Sequence, residues 1–241
     1  MLSTIWNAVF YRPLYNLLLI GIAFVPNADV GLAVILLTIV VKLVLFPLTQ
    51  KSIESQMKMK ALEPEINRIK ATVTDKAEAS KQTFALYKEK KISPFSSCLL
   101  ILVQLPVIIA LYWVFLHGFG AVPVTPYSFV HLPETFNQNF LGLVDLGQKS
   151  IVFALLAGIT QYVQGYLAQK RTGKAEKGEG MAGQFAQTMQ TQMLYVLPVM
   201  IVLIAYRVSA AVALYWITSN IFTIGQELYT RHKMNKGKIV I

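Results

Sequence analysis

Residues 31 to 49 read Gly31-Leu32-Ala33-Val34-Ile35-Leu36-Leu37-Thr38-Ile39-Val40-Val41-Lys42-Leu43-Val44-Leu45-Phe46-Pro47-Leu48-Thr49, an apolar run interrupted by one lysine. A hydrocarbon layer about 30 Å thick takes roughly 20 apolar residues of helix, and this run reads as a transmembrane span. A lysine inside such a span costs about 2.5 to 3.5 kcal/mol on insertion scales, so Lys42 calls for a partner, a water-filled cavity or a route to the surface. The route is short. At about 1.5 Å per residue Lys42 lies about 10 Å from the helix end near Thr49, within reach of a snorkelling side chain. Yet Thr38 and Thr49 fall at i−4 and i+7 on the same helical face as Lys42. A polar stripe faces something other than lipid, which favours a hydrated, positively charged groove inside a helix bundle.

The whole chain has the composition such a bundle needs. Its 241 residues are 55 % hydrophobic and only 14 % charged, with a mean hydropathy of +0.52. That is too apolar and too charge-poor for an ordinary soluble domain, and it describes a polytopic membrane protein. The net charge of +10 sits in segments between apolar runs, where it sets topology, so DNA binding is not read from it. One cysteine, Cys98, excludes an internal disulfide and a cysteine-based metal cluster. His117, His131 and His232 are far apart and show no metal-ligand spacing. Gly-rich phosphate loops and serine-nucleophile elbows are absent as well, so neither metal, cofactor nor enzymatic chemistry is expected.

Working outward, residues 1–30 hold an apolar run from Leu14 to Val25 that is too short to span, read as an external interfacial segment with Trp6, Tyr11 and Tyr15 at headgroup level. Span one covers 31–49, and Pro47 suits a helix leaving the membrane. Residues 50–93 change character: ten Lys and Arg are interleaved with six Asp and Glu, and helix formers dominate around apolar Met57, Leu62, Ile66, Ile69 and Val73, with a break near Thr74-Asp75. This pattern describes a helical hairpin in water. Span two occupies 94–116 and carries Gln104 and Pro106; 117–149 is a loop poor in positive charge. Span three covers 150–169, a basic loop 170–191, span four 192–206, span five 207–229, and a basic tail 230–241. The positive-inside rule places the hairpin, the 170–191 loop and the tail in the cytosol, with the N-terminus outside, and five spans satisfy that parity. The expected fold is an all-α five-helix membrane bundle.

Polar residues recur on three spans. Thr160, Gln161 and Gln164 lie within two turns of span three, where interhelical hydrogen bonding is the bland reading. Trp216, Asn220, Thr223 and Glu227 follow at i, i+4, i+7 and i+11 on one face of span five. With Thr38 and Lys42 they suit one cavity, polar at its floor and apolar toward lipid. A cation and hydrogen-bonding groups inside the membrane lower the cost of drawing a short acidic peptide segment partway across, after which an attached apolar segment slides sideways into lipid.

The sequence resembles the YidC family of membrane protein insertases, with relatives in mitochondria and chloroplasts. The resemblance is carried by Tyr11-Arg12-Pro13-Leu14, by Ile35 to Lys42 with Pro47-Leu48-Thr49, and by Met59-Lys60-Ala61-Leu62-Glu63-Pro64-Glu65-Ile66. It continues through Leu86 to Pro94, Gln104-Leu105-Pro106 to Tyr112, Leu197-Pro198, and Leu214-Tyr215-Trp216-Ile217-Thr218-Ser219-Asn220. It implies a groove open to the cytosol and to lipid, with Lys42, Thr38, Gln164 and Trp216 at groove-lining positions, to which the polar faces of spans three and five add Gln161 and Asn220 as candidates. It also implies a functional cytosolic hairpin built on Met57, Met59, Leu62, Glu63, Pro64 and Tyr87, in a short form without a large external domain. Lys42 stands where the family usually has an arginine, keeping the charge but losing the planar fork of donors. The usual Pro-(Ser/Ala)-Gly turn before span five reads Val208-Ser209-Ala210-Ala211.

The implied activity is non-enzymatic insertion of client membrane proteins at a bacterial plasma membrane. The implied partners are newly made membrane proteins, the ribosome and the Sec translocon, and the basic tail and hairpin suit ribosomal RNA or anionic lipid headgroups. Two other classes compete. A transporter using Lys42 as its substrate site would favour inverted repeats between the two halves, and none is visible. An assembly scaffold would hold membrane subunits without inserting them.

Overall fold

The computed structural model describes residues 6–92, 96–117, 126–130, 135–172 and 191–236. The basic loop with Lys174 and Lys177, the tail beyond Lys236, His131 and the side chain of Cys98 lie outside the described residues. Eight α-helices carry the described chain: α1 (Arg12–Phe24), α2 (Val30–Ala61), α3 (Glu63–Thr72), α4 (Lys76–Glu89), α5 (Ser96–His117), α6 (Ile151–Thr172), α7 (Leu197–Arg207) and α8 (Ala210–Asn235). One π-turn (Asn7–Tyr11) leads into α1 and another (Gln192–Val196) into α7. A small antiparallel ladder pairs β1 (Asn139–Phe140) with β2 (Val144–Asp145). Among the described residues, two helices, α2 and α6, are long and apolar enough to cross a membrane, and the apolar stretches Gln104–Phe115 and Gln192–Arg207 are shorter.

Helix α2 is the axis. Asp29 starts it as an N-cap: its Oδ1 accepts from Gly31 N at 2.7 Å and Leu32 N at 3.1 Å. Its Oδ2 accepts from Leu141 N at 2.9 Å, so the same carboxylate ties the helix start to the loop before α6. That loop also serves α8, whose first amides Ala210 N and Ala211 N donate to the Gln148 and Leu146 carbonyls at 2.8 and 3.2 Å. Helix starts leave unpaired N–H groups, and one loop satisfies two of them.

Helix α2 runs through Pro47 without a break: it is 32 residues long, from Val30 to Ala61. At about 1.5 Å per residue it is about 48 Å long, well beyond the apolar layer. Proline removes the donor for the Leu43 carbonyl, but a packed neighbour supplies bonding on the same turn, where Gln226 Nε2 of α8 donates to the Phe46 carbonyl at 2.9 Å.

The main core joins α1, α2, α5 and α8 through Leu18, Leu19, Ala33, Val34, Leu37, Ala110, Leu111, Val114, Ala211 and Tyr215. Tyr11 and Tyr15 belong to it at 3 % and 2 % exposure, so these two tyrosines face protein. A second cluster of small residues, Ala154, Ala157, Ala205 and Ala213 with Ile201, packs α6 against α7 and α8. Gly158 permits the closest approach, since a Cβ there would collide with Val202 and lie 3.2 Å from the Pro198 carbonyl. Helices α3 and α4 meet through a separate cluster of Leu62, Ile66 and Ile92, flanked by Met59, Leu86 and Tyr87. Pro64, Glu63 and Glu65 occupy the first turn of α3 and Asp75 caps α4, which is why the chain turns between them.

Candidate functional site

Lys42 sits half-buried where α2, α5 and α8 converge. Its Nζ donates to Thr223 Oγ1 of α8 at 3.1 Å and to Gln104 Oε1 of α5 at 3.4 Å. Both acceptors are oriented by a second bond. The Thr223 hydroxyl donates to the Ser219 carbonyl at 2.8 Å, which leaves its oxygen free to accept, and Gln104 Nε2 donates to the Tyr215 hydroxyl. Tyr215 is buried at 1 % exposure and fixes that amide from the core side.

Two of the three ammonium donors are thus engaged, both by neutral dipoles. The ion pairs among the described residues are Lys81–Glu78, Lys90–Glu89, Arg171–Glu227 and Arg231–Glu227, and none includes Lys42. Among the described residues its partners are dipoles alone, so no acidic side chain compensates the charge, and one of its three N–H groups has no acceptor.

The remaining sequence candidates fall in different surroundings. Thr38 is fully buried, and its hydroxyl donates to the Val34 carbonyl of its own helix at 2.6 Å. Asn220 is buried and ties α8 to α6, its Nδ2 donating to Thr160 Oγ1 at 3.1 Å and the Ala157 carbonyl at 3.5 Å. Trp216 is half-buried and packs against both apolar clusters, bridging the two halves of the bundle. Gln161 and Gln164 are half-buried on α6. The hydrogen bonds of Lys42 go to neither of them, but to Gln104 and Thr223, which the sequence marks as polar residues in apolar spans without pairing them to the lysine.

In the α3–α4 region, Leu62 is buried while Met57, Met59, Glu63 and Tyr87 are half-buried and Pro64 is exposed. Burial raises the Tyr87 phenol above its ordinary value.

A second polar centre lies where α2, α6 and α8 come together near the ends of α6 and α8. Glu227, at 1 % exposure, accepts from Arg171 Nη1 at 2.5 Å and from Arg231 Nη2 at 2.6 Å. Arg171 Nε donates to Gln56 Oε1 of α2 at 3.1 Å, and Arg231 Nη2 also donates to the Leu167 carbonyl. The i,i+4 spacing of Glu227 and Arg231 is a sequence signal for part of this network. The reach to Arg171 and Gln56 has no such local signature.

A model of the family described as 60Kd inner membrane protein matches residues 23–237. The chain is 35 % identical over 219 residues to a protein of Clostridium tetani named membrane protein insertase YidC, covering 88 % of each chain. It is 32 % identical over 239 residues to the Oceanobacillus iheyensis protein of that name, covering 97 % of this chain and 86 % of the relative. With the Fusobacterium nucleatum protein, again of that name, the identity is 31 % over 227 residues, 91 % of this chain and 98 % of the relative. A helical bundle built on apolar spans, and a match extending over nearly its full length, place this chain in the YidC family of membrane proteins.

Proposed function

We propose that the chain is a non-enzymatic membrane protein insertase and chaperone, in which Lys42 draws the hydrophilic end of a client into a polar recess among α2, α5 and α8. The observation that carries this reading is an ammonium inside an apolar helix whose partners, Gln104 and Thr223, are both neutral. A carboxylate partner would neutralise the lysine and make it structural; dipoles stabilise it while leaving the charge to act on a client. Attraction to an acidic client tail offsets part of the cost of moving that tail out of water. The client's apolar segment then leaves along α6 and α8, whose outward faces carry exposed Ile159, Tyr162, Val163 and Ile221. Membership of a family whose relatives are named insertases supports the same reading.

In this proposal α2, α5, α6, α7 and α8 are the five spans, α3 and α4 form the cytosolic hairpin that first receives the client, and Gln161, Gln164, Trp216, Asn220 and Thr38 line or shape the recess. The basic residues at the ends of α6 and α8 support a cytosolic C-terminus and an external N-terminus at a bacterial plasma membrane.

The test is protease protection of a short single-span client with an acidic N-terminal tail, added to liposomes containing the protein, its Lys42→Ala variant, or no protein. Protection that requires the protein and falls with Lys42→Ala is the expected result. Equal protection in protein-containing and empty liposomes would overturn the insertase reading for that client in favour of a scaffold.

A further inference from the structure

Met57, Lys60, Lys170, Arg171 and Arg231 line a cleft of about 210 Å³ between α2, α6 and α8. Four of these five residues are cations, and the carboxylate beside them, Glu227, is already shared by both guanidiniums. Four positive charges against one negative leave a local excess of three. Lys60 Nζ makes one hydrogen bond, to the Lys170 carbonyl at 2.8 Å, which leaves two donors, and the Lys170 ammonium lies 4.6 Å over the Tyr166 ring. Neither lysine belongs to an ion pair among the described residues. Arg231 Nε is buried and has no hydrogen-bond partner among them. Structural ion networks close on themselves; this one holds more convergent charge and more unspent donors than its own carboxylate can satisfy. Its complement is an anion with several acceptor oxygens, for which phosphate is the fitting group.

The surroundings indicate where that phosphate comes from. Tyr166 stacks on Tyr162 with centroids 6.5 Å apart, Tyr162 meets Tyr195 at 6.2 Å, and all three side chains are exposed. Exposed tyrosines beside basic helix ends mark the headgroup level of a bilayer, and basic pockets between spans at that level suit phospholipid head groups. Met57 gives the cleft an apolar wall on the α2 side. We infer that this cleft binds the phosphate of an anionic phospholipid headgroup, seating one lipid between α2, α6 and α8.

The experiment uses the full chain in detergent, mixed with equimolar dioleoylphosphatidylglycerol and dioleoylphosphatidylcholine, with retained lipid counted by native mass spectrometry. Saturable retention of one phosphatidylglycerol in preference to phosphatidylcholine is expected. Lys60→Gln with Lys170→Gln weakens it about thirtyfold, because each lysine near a headgroup contributes about a factor of five. Both lysines are exposed, and Lys60→Arg with Lys170→Arg, which keeps the charges, retains the lipid. Lys70→Gln with Lys88→Gln, the same charge change on α3 and α4, also retains it. Equal retention by the wild type and the Lys60/Lys170 glutamine variant overturns the assignment, as does equal loss in the Lys70/Lys88 variant. Displacement by excess inorganic phosphate would transfer the site to a soluble phosphate and overturn the lipid source. Displacement by an oligo-aspartate peptide would overturn it in favour of a protein ligand.

Discussion

Glu227→Gln removes the carboxylate that, among the described residues, pairs α6 with α8, and leaves its two arginines facing a neutral amide. Glu227 is 1 % exposed, and the side chains of Arg171 and Arg231 are 10 % and 23 % exposed, so the charges left behind are largely desolvated. Breaking a buried pair by neutralising one partner costs about 3 to 5 kcal/mol, because an uncompensated charge stays inside. Arg231 retains some access to water, which places the expected loss near the lower limit, at about 3 kcal/mol. For a chain of this size, about 3 kcal/mol lowers the unfolding midpoint by roughly 6 to 12 °C. The assay is thermal unfolding of the detergent-solubilised protein, followed by tryptophan emission and by recovery of the monodisperse peak on size exclusion. Combining Glu227→Gln with Arg171→Met removes the more buried of the two stranded charges, so the double variant melts above Glu227→Gln alone. A midpoint for Glu227→Gln within about a degree of wild type, against the shift expected from burial, would refute the view that this network clamps the bundle.

Three further outcomes follow from particular contacts. Gln104→Leu takes one acceptor from Lys42 and one of the hydrogen-bond partners of the Tyr215 hydroxyl, costing about 1.5 to 3 kcal/mol for the bond to the charged group, and lowers insertion of acidic-tailed clients while Thr223 still holds the lysine. Insertion assays in liposomes read this, and wild-type insertion would contradict it. Asp29→Ala loses an N-cap and the tie to Leu141, a cost of about 2 kcal/mol seen as a lower melting midpoint; Asp29→Asn, which retains one acceptor oxygen, recovers part of it. Gly158→Leu forces α7 away from α6 at Val202 and Pro198, and an overpacked interface of this kind loses about 1 to 3 kcal/mol, measurable by the same melts.

The apolar spans and the polar face of α8 were legible because helical periodicity writes them locally: Trp216, Asn220, Thr223 and Glu227 recur at helical spacing. What periodicity does not carry is which polar residue meets which. Lys42 finds its acceptors 62 and 181 residues away, on helices whose relative rotation is set by packing of the small residues around Ala110 and Ala211. Thr38 shares the face of Lys42 in sequence, yet its hydroxyl bonds its own helix, the commonplace fate of a threonine surrounded by apolar neighbours. Pro47 suits a helix leaving the membrane, but the sequence does not say whether the helix continues beyond it. The helix runs through it, with Gln226 from another part of the chain bonding on the same turn. Tyr11 and Tyr15 carried an aromatic-belt signal, but that signal is compositional, and tertiary packing against α2 and α5 turned both rings inward. The β1–β2 ladder has two residues per strand, too few for any alternation to be read.

The central claim is that the charge at position 42 acts on the client. Its most direct measurement is a charge swap in proteoliposomes: Lys42 and Lys42→Glu proteins, each given the same single-span client with an acidic or a basic N-terminal tail, scored by protease protection. Lys42→Glu is expected to lose the acidic-tailed client and gain on the basic-tailed one, because the recess keeps its shape while its field reverses. Equal loss of both clients, or protection indifferent to the tail's sign, would contradict it and leave Lys42 a packing residue.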